Sequence, residues 1–218
     1  MRWRLAFLAF LALALCSAVT AAAELPDPVL DPPAAKGAGA QTAVFAGGCF
    51  WGVQAVFQHV NGVISATSGY SGGAAAGARY DIVSGGRSGH AEAVRVVFDP
   101  AKISYGQLLK VFFAVAHDPT QLNRQGPDHG TQYRSAIFTT GPEQERVARS
   151  YVAQLDRAGT YPARIVTAIG PLTAFYPAED YHQDYLRLHP DQPYIVINDL
   201  PKLGELKRRY PRLYRASN

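Results

Sequence analysis

An α+β fold is expected, on three observations. Strand-like and helix-like hydrophobic periods alternate after residue 42 in the order β-α-β-β-α-β-α-β-α. The links between several neighbouring strands are of hairpin length. Apolar residues make up 48% of the 218 positions and charged ones 17%, enough to fill a core. Together these predict a two-layer sandwich of sheet and helices. No internal repeat interrupts the pattern.

The elements follow in order. Residues 1–23 read as a secretory signal: Arg2 and Arg4 form a positive start, 5–15 an apolar run too short for an ordinary membrane span, and Ala21-x-Ala23 a small-residue cleavage site. Leu15 before Cys16 argues against a lipoprotein signal. Residues 24–41, rich in Pro, Ala and Gly, predict a flexible linker or extended arm. The folded domain is expected over 42–200, opening with a short strand over 42–45 that ends in Gly47-Gly48. Val53, Val56, Phe57 and Val60 recur at helical spacing from Phe50, and Asn61-Gly62 stops that helix. Residues 63–68 are β-branched and small, hence a strand, and 69–79 a Gly/Ala-rich loop. Residues 91–98 alternate as a strand should, closed by Asp99-Pro100. Ser104 with Gln107 is a capping box for a helix striped by Leu108, Leu109, Phe112, Phe113 and Ala116. A polar loop over 117–131 precedes a strand over 133–139. A helix opens at Gly141-Pro142, with Val147, Tyr151 and Leu155 on one face. A strand over 164–169 and a last helix over 179–188 complete the domain. Residues 201–218, with Lys202, Lys207, Arg208, Arg209, Arg212 and Arg215, read as a solvated basic tail.

Charge and cysteine content exclude several classes. Lys+Arg 21 against Asp+Glu 17 gives +4, and removal of Arg2 and Arg4 with the signal leaves 19 against 17. That balance is too small for an electrostatic nucleic-acid binder. Two cysteines make neither a disulfide framework nor a multi-cysteine zinc site, and no metal is expected. With Cys16 removed, Cys49 is the remaining thiol. His90-Ala-Glu92 looks like the start of a zinc-deaminase motif, but the downstream Pro-Cys-x-x-Cys is missing. His117, Asp118, Asp180 and His182 read more readily as loop and cap residues than as ligands.

Cys49 stands in Gly47-Gly48-Cys49-Phe50-Trp51-Gly52, at the junction of a strand, a glycine pair and a helix start. Free backbone N–H groups and the helix dipole favour negative charge there, so a lowered thiol pKa and a reactive sulfur are expected. Glu92 shares a strand face with Val94, Val96 and Phe98 by the two-residue period, so it should point inward with them. Burial without a cation raises a carboxyl pKa and keeps the group able to donate a proton.

The hexapeptide around Cys49 resembles the signature of the A-type peptide-methionine sulfoxide reductases. So do YDIVSG from Tyr80, GHAEAV from Gly89, HDPTQLNRQGPDHGTQYRS over 117–135 and PAEDYHQ over 177–183, all in the family's order. The resemblance implies a ferredoxin-like core and an enzyme that reduces the S epimer of methionine sulfoxide, protein-bound or free, in the repair of oxidised proteins. It implies that Cys49 attacks the sulfoxide sulfur and becomes a sulfenic acid, with Glu92 as general acid. Tyr80 and Tyr133 would hydrogen-bond the substrate oxygen, Asp128 would orient neighbouring groups, and Phe50 and Trp51 would wall the methyl group. No bound cofactor is implied. The chain departs from many relatives in having Ser84 where some carry a cysteine and none in 190–202, where many carry a resolving one. The sulfenic acid must then be reduced from outside, by a thioredoxin-like or glutaredoxin-like protein or a small thiol. An exported monomer, periplasmic or secreted and free of the membrane after signal cleavage, is expected. Two other classes stay open on the residues alone: a cysteine hydrolase using His90 or His117 as base, and a non-catalytic module that binds oxidised methionine.

Overall fold

The apolar runs of the sequence become the strands and helix faces that build the core. The computed structural model describes residues 24–33, 37 and 39–216, so the signal expected over 1–23 lies outside the described residues. Strand β1 (Gln41–Gly47) leads into α1 (Phe50–Gln58), then β2 (Val63–Ser71), the short α2 (Tyr80–Val83) and β3 (Ala91–Phe98). Helix α3 (Tyr105–Val111) runs on into a π-helical turn, Phe112–Ala116. The polar loop carries a two-residue hairpin, β4 (Arg124–Gln125) with β5 (Asp128–His129). Then come β6 (Ser135–Thr139), α4 (Pro142–Arg157), β7 (Ala168–Pro171), β8 (Phe175–Pro177), α5 (Tyr185–Leu188) and, after a second π-helical turn (Ile195–Asp199), α6 (Leu200–Arg209).

The fold is α+β with a mixed six-stranded sheet in the order β7-β6-β1-β3-β2-β8. The pair β6–β7 is parallel and the other pairs are antiparallel. One face carries the main core: Phe45, Val94, Val96 and Phe98 meet Phe57, Leu108, Leu109 and Phe112, all buried. Phe45 stacks between Phe57 at 5.1 Å and Phe112 at 4.9 Å. Full burial of such a side chain contributes about 1.5–3 kcal/mol. The opposite face holds a smaller cluster of Val44, Ala46, Ala91, Ala93, Ala136 and Phe138. The capping box forms as expected, Ser104 Oγ accepting from Gln107 N while Gln107 Oε1 accepts from Ser104 N.

Several expectations need correction. Residues 24–33 are not a free linker but an arm bound to the domain. Leu25 is buried, Asp27 pairs with Lys110 Nζ at 2.8 Å, and Asp31 accepts from Ser104 Oγ and from Gly106 N at the start of α3. Its composition suggested flexibility, whereas its carboxylates meet a cation, Glu24 and Asp27 at Lys110, and the free donors of a helix start, Asp31 at α3. The basic segment after residue 200 is not a solvated tail. Leu203 and Leu206 of α6 and Tyr210 just after it turn inward, with Leu206 and Tyr210 buried, and the following chain returns to the end of α1 through Arg215 N donating to His59 O. The strand expected over 164–169 instead begins at Ala168. The helix expected over 179–188 is broken, because the Gln183 amide accepts from Ser68 N and donates to Ser68 O, and Asp184 takes φ 55°. Among the described residues no helix is long and apolar enough to cross a membrane.

Candidate active site

Cys49 caps α1 after a turn that only glycines permit. Gly48 adopts φ +91°, and a Cβ there would lie 2.5 Å from the Gln125 side chain. A Cβ on Gly47 would lie 2.9 Å from the His117 ring. The antiparallel register places Glu92 opposite Tyr70, and its side chain reaches across to the helix start, where Phe50 N donates to Glu92 Oε2 at 3.0 Å. The proposed nucleophile and proton donor thus stand at the same helix terminus, on the same side of the sheet.

Glu92 is 2% exposed, and burial pushes its carboxyl up to about 8 against the single opposing bond from Phe50 N. The inward turn expected from the strand period is therefore found, and so is its consequence, a carboxyl largely protonated at neutral pH. The Cys49 expectation fails in one respect. The thiol is 9% exposed, and burial, then the Glu92 and Asp199 carboxylates, push its pKa well above the ordinary range. The Trp51 backbone N–H and Lys202 oppose this without prevailing. Desolvation outweighs the helix terminus, so the resting thiol is protonated.

The remaining residues surround this pair. Phe50 is buried against Tyr70 and His182, and Trp51 lies flat on Tyr185 at 3.7 Å while its indole N–H donates to His182 Nδ1. Tyr80 starts α2, where Glu179 accepts from its backbone N–H and from the Tyr70 hydroxyl, and the Tyr80 ring packs 4.4 Å from His182. Tyr133 is fixed by its neighbours: Thr131 Oγ1 donates to Gly86 O, Gln132 Nε2 to Ser84 O and Arg134 to Gly89 O. Both tyrosines lie close enough to Glu92 and Cys49 for those charges, after burial, to raise their phenol pKa values, so both are neutral donors. Asp128 accepts a hydrogen bond from the Tyr194 hydroxyl.

The histidines weighed as hydrolase bases are engaged elsewhere. His90 accepts from Gly73 N at Nδ1, which leaves Nε2–H to donate to Ala74 O. His117 bonds Phe112 O and Ser135 Oγ, and burial lowers its pKa to about 4. Neither ring bonds Cys49. Among the described residues no cluster of three or more His, Cys, Asp or Glu is placed to hold a metal.

The sequence reading missed Tyr194, Asp199 and Lys202. A signal was present: Asp199-Leu200-Pro201 marks a helix start, with Leu203 and Leu206 as its apolar side. Asp199 packs against Gly52, where a Cβ would fall 2.1 Å from Asp199 Oδ1 and 2.7 Å from Lys202 Nζ. Gly52→Ala is therefore expected to lower stability by about 1–3 kcal/mol, the usual range for overpacking, even though alanine is the better helix former. Urea unfolding of the two proteins measures this, and an unchanged or raised midpoint would refute the close approach.

With the geometry in place, the comparisons are specific. A family model described as peptide methionine sulfoxide reductase matches residues 41–212. Peptide methionine sulfoxide reductase MsrA 2 of Mesorhizobium japonicum is 60% identical over 185 residues, 85% of this chain and 94% of that protein. The protein of the same name from Synechocystis is 51% identical over 196 residues, 89% and 92% of the two chains. The solved structure of Mxr1 from Saccharomyces cerevisiae in reduced form is 32% identical with a TM-score of 0.66, over 70% of this chain and 87% of that one. A cysteine at a helix terminus beside a buried carboxyl, in a chain matched over nearly all its described length, has one reading: this chain belongs to the peptide methionine sulfoxide reductase family, in its A-type branch.

Proposed function

We propose that this oxidoreductase, which reduces methionine sulfoxide to methionine by cysteine chemistry, acts on the S epimer through a Cys49 sulfenic acid that external thiols recycle. The observation that carries the reading is the pairing at the start of α1: Cys49 at the cap and a largely protonated Glu92 bonded to the next residue's N–H.

The chemistry follows from that pair. The Cys49 sulfur attacks the sulfoxide sulfur while Glu92 gives its proton to the departing oxygen, which is a poor leaving group unprotonated. In net terms the oxygen passes from the substrate sulfur, which gains two electrons, to the Cys49 sulfur, which loses two. The products are a thioether and a sulfenic acid. Tyr80 and Tyr133 have no protein partner for their hydroxyls among the described residues, so both can donate to the substrate oxygen. Phe50 and Trp51 offer the apolar surface for the methyl group, held by Tyr185 and His182. Asp128 fixes Tyr194 at the rim.

Recycling takes two external thiols. The first condenses with the sulfenic acid, forming a mixed disulfide and releasing water. The second displaces Cys49 as a thiol and leaves an external disulfide. Support comes from the cysteine content: Cys49 is the free cysteine of the described residues, and the sequence adds only Cys16. The reductant is a thioredoxin-like or glutaredoxin-like protein or a small thiol, and no bound cofactor takes part. The signal-like residues 1–23 support export to the periplasm or beyond and repair of oxidised proteins there. The finer fold reading, a ferredoxin-like core, is supported by the connection β1-α1-β2-β3-α3-β6 with strand order β6-β1-β3-β2.

One experiment tests the cycle. The protein is mixed with one equivalent of an S-sulfoxide peptide, without reductant, and its mass is measured under non-reducing conditions. One equivalent of thioether and a monomer heavier by one oxygen are expected, and a small thiol or thioredoxin restores turnover. An intramolecular disulfide, or preference for the R epimer, would overturn the reading.

A further inference from the structure

We propose that Asp199 and Lys202 act as positioning residues for the nucleophile: a buried charge pair, seated through Gly52 against the first turn of α1, that sets how readily Cys49 gives up its proton. The proposal rests on the assignment of Cys49 as nucleophile.

The pair has an unusual placement. Asp199 is 1% exposed, and its Oδ1 is 3.1 Å from Lys202 Nζ, one helical turn on. An aspartate immediately before a helix ordinarily caps it through its side chain. Here the π-helical turn runs directly into α6, and Asp199 makes no cap bond. Its carboxylate turns instead toward α1. Asp199 Oδ2 is buried with no hydrogen-bond partner, a costly state for a carboxylate oxygen that calls for an explanation beyond packing. Gly52 supplies the opening: it is the third residue of α1 after the Cys49 cap, and the space of its missing side chain is taken by Asp199 Oδ1 and Lys202 Nζ.

Among the described residues, the charged or titratable groups around the thiol are these. Glu92 approaches from β3, Asp128 from β5, and Asp199 and Lys202 from the end of the π-helical turn and the start of α6. Tyr80, Tyr133 and Tyr194 present phenols held neutral. His117, on the other side of the glycine turn, is neutral near pH 7. Among the side chains acting on the sulfur, Glu92 and Asp199 oppose ionisation and Lys202 favours it. Lys202 is itself mostly buried, so its charge is weakly screened. Asp199 both holds the ammonium in place and tempers it.

The two residues therefore act on the thiol in opposite directions, which a purely structural role would not produce. In the full chain carrying Cys16→Ser, Cys49 is the only thiol, and its alkylation by iodoacetamide is compared at fixed pH values from about 7 to about 10, below the midpoint of the buried thiol, where the rate follows the thiolate fraction. Lys202→Met is expected to slow labelling about tenfold at each of these pH values, the effect of an upward shift of about one pH unit. Lys202→Arg restores the rate. Asp199→Asn, which keeps an acceptor for Lys202 but removes the charge, speeds labelling. Shifts of the same sign in Lys202→Met and Asp199→Asn, or no shift in either, overturn the proposal. Because labelling needs no turnover, this failure is separate from that of the catalytic assignment, which would show as sulfoxide reduction by a chain lacking Cys49.

Discussion

Cys49→Ser is expected to abolish sulfoxide reduction, in single as well as multiple turnovers, while sulfoxide binding and the fold persist. The exchange is nearly isosteric, and the site already holds a donor, the Trp51 N–H, for a small polar atom at this position. The chemistry is lost for a reason that geometry cannot repair. A hydroxyl oxygen cannot supply the two electrons that the sulfoxide sulfur must receive, whatever its ionisation. Binding can be followed by fluorescence, since Trp51 lies in the site and the only other tryptophan is Trp3. A chain that binds a sulfoxide without reducing it would identify the sulfur as the reductant. Thioether formed at the parent rate would exclude Cys49.

What the sequence made legible divides along physical lines. The turn around Cys49 was readable because glycine there answers a steric demand: a left-handed backbone at Gly48 and the close approach of Gln125. The orientation of Glu92 was readable because the alternation over 91–98 leaves one inward face, and the strand forms over those residues, Ala91–Phe98. The state of the Cys49 thiol was not readable. It depends on the balance between a helix terminus, which a local pattern reveals, and desolvation by distant segments, which it does not. Asp199 and Lys202 belong to those segments, about 150 residues along the chain from Cys49. The bound arm over 24–33 was obscured in the same way. Its prolines carry no period, and its anchors, Asp27 and Asp31, matter only because Lys110 and the start of α3 are brought beside them. The steric rule at Gly48 and the strand period over 91–98 survived the passage to three dimensions, whereas the state of the Cys49 thiol and the seat of the arm required knowing what else is nearby.

Glu92→Gln is expected to lower kcat/KM by about 10²–10⁴-fold, the usual contribution of a positioned general acid, and to change the pH profile in a defined way. In the parent enzyme Glu92 titrates near 8 and the Cys49 thiol higher. Both are protonated at neutral pH, yet the reactive state is a thiolate beside a carboxylic acid, with one proton fewer on the pair. Activity should therefore rise with pH through about 8 as the pair loses its first proton, and fall only when the second leaves at more alkaline pH. These two values belong to the pair rather than to either residue. Glutamine keeps the bond from Phe50 N through its amide oxygen but has no proton to transfer. The alkaline fall should vanish, and the rising limb should follow Cys49 alone, moving up from the parent's rise near 8 but staying below the parent's second step, because the carboxylate beside the sulfur is gone. Stability should respond with the opposite sign. Glu92 is raised in the folded chain from 4.5 to about 8, so its contribution is fully present below the unfolded value and is lost as pH rises through the folded one. Glutamine carries no such dependence, so the variant should melt at a higher temperature than the parent above pH 8 while turning over far less. A variant impaired by misfolding would lose activity and stability together. Loss of one with gain of the other, measured on the same protein at the same pH, is the behaviour of a buried acid retained for its proton at a cost to the fold.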